Sequence, residues 1–153
     1  MSTGAVYRTT DGGASWRPRN AGISSYFPPV PTPQFGQCVH KIARGAVHPR
    51  RAGTIRVVPL VADGERVPPG GRLAVHRSDD AGETWRELSA GLPEHECNAV
   101  LRDAAWVDVG DPVGVYVGTR GGEVYASADE GESFTTVAGH LPDVLCVRAA
   151  VLP

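Results

Sequence analysis

Three short stretches of the chain crowd carboxylates, hydroxyls and glycine together: "TTDGGASW" from Thr9, "SDDAGETW" from Ser78 and "SADEGESF" from Ser127. Such a stretch can serve as a divalent-cation loop, as a carboxylate that moves protons, or as a turn held by its own side chains. A Ca²⁺ loop of the EF-hand kind needs Asp-x-Asx-x-Asx-Gly and a Glu at position twelve. No copy has that pattern, and the first carries a single carboxylate, Asp11. The turn needs less. An Asp side chain can accept N–H bonds across it, a Ser or Thr hydroxyl can bond the same backbone, and Gly supplies a positive φ. The aromatic that follows anchors the next strand. Thr9, Asp11, Gly13 and Trp16, then Ser78, Asp80, Gly82 and Trp85, then Ser127, Asp129, Gly131 and Phe134 are therefore read as structural. Neither a metal nor a cofactor is expected.

Candidate chemistry lies elsewhere. Three apolar runs, "CVHKIA", "AVLRDA" and "LCVRAA", align to put a basic residue at one position in each: Lys41, Arg102 and Arg148. Side chains of equal parity on equivalent strands share a face. Converging cations would grip an anion, and a forked guanidinium suits a carboxylate. The competing reading is an ion pair with Asp103 or Glu96, or a solvated side chain. Asp103, beside Arg102, is the best single carboxylate candidate, and Tyr26 lies in a Pro-rich loop, "SSYFPPVPTPQFG". His95 and Cys97, with His40 and Cys38, are conceivable zinc ligands, but tetrahedral convergence is not readable from spacing. They are read as unrelated strand and loop residues. No catalytic residue is assigned, and no phosphate-binding or nucleophile-elbow motif occurs.

The elements that must hold these groups are strands. The three crowded stretches are copies of one unit, each preceded by an alternating apolar run and followed by "AGI", "AGLP" or "GHLP". "CNAVLRDAAWVDV", "GVYVGTR", "GGEVYASAD" and "ESFTTVAG" read as four successive strands with turns between them. "QCVHKIARGAV", "TIRVVPLVA", "GRLAVHRS" and "TWRELS" repeat that plan. A repeated four-stranded unit of this length predicts an all-β chain of β-propeller blades, each of four antiparallel strands. The chain holds about three blades, a partial propeller: 1–22 ends one, 37–92 forms the second, 97–142 the third, and 143–153 begins a further one.

Composition bounds the rest. With 153 residues the chain suits one domain, and 19 Gly and 13 Pro favour turns over long helices. A formal charge of −2 suggests neither a nucleic-acid nor a membrane partner, and no apolar run has the length of a membrane span. The N-terminus lacks the basic and apolar regions of a secretory signal. Three widely spaced cysteines predict reduced thiols and a cytoplasmic protein.

The shared Ser/Thr-x-Asp-x-Gly-x-x-Trp/Phe core resembles the Asp-box, or BNR repeat, of sialidases, sortilin-type receptors and bacterial sialidase-like propellers. The longer stretches "VYRTTDGGASW", "VPPGGRLAVHRSDDAGETW" and "GGEVYASADEGESF" are similar to bacterial BNR/WD40/YVTN-type propellers labelled as glycosyl hydrolases, in their C-terminal portion. The resemblance implies boxes at the blade periphery and a ligand, carbohydrate or protein, at the mouth of the central channel. It also implies three arginines on a substrate carboxylate, an acid/base Asp and a Tyr–Glu nucleophile pair, none of which maps onto residues here. Such propellers have more blades than this chain holds, so a homo-oligomer that completes a ring, an open arc or a truncated product of a larger propeller is expected, the first or the last ahead of a closed monomer. Two functions follow: a non-catalytic binding module, or a glycoside hydrolase of exo-α-sialidase type complete only in a larger assembly.

Overall fold

A computed structural model describes residues 5–23, 38–44, 53–61, 66–101 and 103–150. Among them the chain is all-β, with ten strands and one short 3₁₀ turn at Pro69–Gly71. Strands β1 (Tyr7–Arg8) and β2 (Arg17–Pro18) form a two-stranded sheet. Strands β3 (Cys38–Arg44), β4 (Ile55–Leu60), β5 (Val75–Ser78) and β6 (Arg86–Leu88) form a four-stranded antiparallel meander in chain order. Strands β7 (Ala105–Val107), β8 (Val115–Gly118), β9 (Val124–Ser127) and β10 (Thr135–Ala138) form a second one. Each crowded stretch is the hairpin between the last two strands of its sheet.

The sheets pack in series, because alternate residues along each strand are apolar and each sheet needs a neighbour on both faces. Val6 and Ile23 of the first sheet meet Val57 and Trp85 of the second. Val58, Val75 and Leu88 of the second meet Val115, Val117, Tyr125 and Phe134 of the third in the largest cluster. The first strands β3 and β7 touch each other.

Two strands differ from the sequence reading, and for the same reason. The run from Cys97 was expected as one long strand, yet β7 holds only Ala105–Val107. Ala99 O accepts from Arg120 and Ala104 O from Gly118, while Ala104 N turns back to Leu101 O at 3.0 Å. Several residues thus bulge out of the ladder around Asp103. In β3 the register slips between Val39 and Ile42, where His40 and Lys41 intervene. Such bulges bend a strand and re-aim its side chains. The segment from residue 143, expected to begin another sheet, makes a single parallel bridge, Cys146 to Asp103, alongside the first-strand segment of the third sheet. No helix among the described residues is long and apolar enough to cross a membrane.

Candidate functional site

The three crowded stretches adopt one hydrogen-bond pattern. In the second, Ser78 Oγ donates to Asp80 Oδ1 at 2.7 Å and accepts from Gly82 N at 2.7 Å. Asp80 Oδ1 also accepts from Thr84 N at 2.9 Å, and Asp80 Oδ2 from the Thr84 hydroxyl at 2.6 Å. Thr9, Asp11, Gly13 and Ser15 repeat these contacts, as do Ser127, Asp129, Gly131 and Ser133. Ala81 and Gly82 both have positive φ, 59° and 93°; Gly82 N–H turns inward onto Ser78 Oγ, while Ala81 N–H donates out of the turn to Gly53 O at 3.0 Å. The donors that reach the carboxylate favour its ionised form. The Thr84 hydroxyl and N–H, then Ser78, pull Asp80 down to about 2. Ser127, then Ser133, pull Asp129 to about 2, and Ser15, then Thr9, hold Asp11 well below the usual carboxylate range. A carboxylate committed to three donors of its own turn is a poor proton carrier. The hydroxyl of Ser15, Thr84 or Ser133 was missed from the sequence, although each stands just before the aromatic in all three copies.

Of the residues proposed for chemistry, Asp103 and Arg148 have described side chains. Arg102 and Tyr26 lie outside the described residues, as does the side chain of Lys41, whose backbone sits in the β3 bulge. Asp103 and Arg148 come together: Arg148 Nη2 stands 3.1 Å from Asp103 Oδ1, and Nη1 donates to Asp103 O. The same guanidinium lies 4.4 Å above the Trp106 ring. Arg148 is thus held in an exposed ion pair across the parallel bridge.

A polar cleft of about 330 Å³ is lined by Arg66, Cys97, Asn98, Ala99, Leu101, Arg120 and Asp143, and includes neither member of that pair. It sits where the bulged segment leaves the preceding sheet, with Ala99 held by Arg120 N. The Arg120 Nε–Asp143 Oδ2 pair, 2.8 Å apart, forms one wall. Arg66, Arg120, the Asn98 amide and Asp143 offer both donors and acceptors to a hydroxylated, anionic ligand. The cleft draws on four separate segments, so no local signal in the sequence marks it.

Other polar groups hold the fold. A Tyr–carboxylate pair exists, Tyr116 Oη donating to Asp108 Oδ2 at 2.9 Å, but Asp108 also accepts from Gly110 and Gly114 and so staples its own loop. His76 is buried beside a cavity of about 60 Å³, with Glu87 Oε2 at 3.9 Å from Nε2. Burial lowers its pKa against the opposing pull of Glu87. Among the described residues no three His, Cys, Asp or Glu gather to hold a metal, and His95 and Cys97 are exposed. Cys38, Cys97 and Cys146 form no disulfide with one another. A scan against protein-family models finds no match, and a search of curated proteins finds none.

Proposed function

We propose that the chain is a partial Asp-box β-propeller acting as a binding module for an acidic carbohydrate. The observation that carries this reading is the polar cleft between Arg66, Asn98, Arg120 and Asp143. One wall is the segment Cys97–Leu101 that precedes β7, with Ala99 O accepting from Arg120 N. Serial stacking with adjacent first strands supports the propeller, whose first strands would line a channel. The box carboxylates are spent on their own turns, which directs ligand recognition to the cleft. Guanidinium groups at its wall favour a carboxylate-bearing sugar over a neutral one.

Saturation-transfer NMR with a methyl sialoside, and with lactose as the neutral control, tests this. The sialoside is expected to bind saturably, lactose not, and Arg120→Ala to weaken the contact. Equal or absent responses overturn the reading. Turnover of a fluorogenic sialoside that disappears in Arg102→Ala would instead establish the hydrolase.

A further inference from the structure

The two joints between the three sheets are built alike. The box aromatic of one sheet is buried on the turn that closes the sheet before it: Trp85 on Gly22, and Phe134 on Gly91. A side chain of the earlier sheet covers the box glycine of the later one: Arg19 covers Gly82, and Leu88 covers Gly131. In the earlier sheet of each joint, seven residues beyond that sheet's own box aromatic (Trp16, then Trp85), a large aliphatic is buried, Ile23 at 0% and Leu92 at 7% exposure.

The outer faces carry the two unfilled halves of the same joint. On the first sheet Trp16 is 59% exposed, and nothing approaches within 4 Å of a Cβ built on Gly13. On the third sheet Val137, equivalent to Arg19 and Leu88, is 58% exposed, and Leu141, equivalent to Ile23 and Leu92, is 45% exposed. Charge matches as well. Both internal joints carry an ion pair, Arg8–Glu83 at 3.2 Å and Arg77–Glu132 at 3.1 Å. At the outer faces the equivalent positions are Ala126 and Ala14, so both members of the pair are lost together and neither leaves an unpaired charge. A repeat face that meets water is ordinarily polar, and these two faces expose Trp16, Val137 and Leu141.

We propose that copies of this chain associate head to tail, the Trp16 face of one seated on the Val137–Leu141 face of the next. The contact is heterologous, so it closes a ring where the rotation per joint allows and otherwise extends an arc. His140 occupies the place of Gly22 and Gly91 with φ 59°, and its side chain must be accommodated. The joint between copies is accordingly looser than the internal ones. This inference stands apart from the ligand reading.

Sedimentation velocity over a concentration series tests it. The wild-type chain is expected to assemble with concentration. Trp16→Glu, at the head, is expected to weaken assembly about thirtyfold or more, as loss of an aromatic anchor does. Val137→Glu with Leu141→Glu blocks the tail. Each blocked form alone stays monomeric, and an equimolar mixture gives a one-to-one dimer through the single intact joint. His140→Gly tightens assembly. All of these residues but Gly13 carry exposed side chains, and unchanged circular dichroism confirms folding. A wild-type chain that remains monomeric at high concentration overturns the proposal, as does a head-blocked form that dimerises alone or a mixture that does not.

Discussion

Gly91→Ala probes the joint between the second and third sheets. Gly91 has φ 80°, a conformation that costs an L-residue with a Cβ roughly 1–2 kcal/mol. A methyl there would also overlap the carbonyl oxygen of Phe134, whose N–H donates to Ala90 O at 2.8 Å. Backbone on both sides leaves no flexible side chain to yield, so the two sheets must part. Phe134 is 4% exposed, and its full burial is worth about 1.5–3 kcal/mol. Losing half of that and adding the backbone strain gives about 2–3.5 kcal/mol. Reduced freedom of the unfolded chain returns about 0.4–1 kcal/mol. The net loss is about 1–3 kcal/mol, a large part of the stability of a small domain. Urea unfolding followed by tryptophan fluorescence should show the midpoint fall by about 1 M, given a slope of roughly 1–3 kcal/mol per molar. Gly139→Ala is the control. Its position is Ala21 and Ala90 in the other copies, and a Cβ there meets nothing within 4 Å. A Gly91→Ala midpoint that moves no more than the control's would refute the close-approach argument.

Further outcomes follow from the same contacts. Trp85→Phe, which installs the aromatic of the third copy, should cost about 0.5–1.5 kcal/mol, because it removes the 2.8 Å bond from Nε1 to Arg19 O, and thermal melts will register the shift. The lowered carboxyls of Asp80 and Asp129 contribute stability that is present above about pH 4 and lost as pH falls towards about 2. An acid titration should therefore be shallower in the Asp80→Asn, Asp129→Asn double variant. His76 is held neutral by burial, so the unfolded chain takes up its proton first as pH drops, and stability should fall below about pH 6.5. His76→Leu should flatten that fall, and a slope unchanged by the substitution would assign it to other groups.

The boxes were legible because three copies in register specify the same turn chemistry, and local chemistry is what a sequence carries best. Strand order followed from the same repeats. The shortness of β7 was not legible, since it depends on Ala104 N choosing Leu101 O over a ladder partner. The joints were hidden for a different reason. Gly22 and Gly91 look like ordinary turn glycines until Trp85 and Phe134 arrive from the next sheet. The alignment of Lys41, Arg102 and Arg148 named none of the residues that line the cleft. It could not foresee that Arg148 would engage Asp103 and Trp106, nor that Arg66, Asn98, Arg120 and Asp143 would converge from distant segments.

The central claim is that the boxes build the fold while the cleft recognises the ligand. Its most direct test is the affinity for a methyl sialoside in wild type, Arg120→Ala and Asp129→Asn, each verified as folded. The account predicts binding in the wild type, retention in Asp129→Asn and a marked loss in Arg120→Ala. Loss in Asp129→Asn with Arg120→Ala unaffected would contradict it.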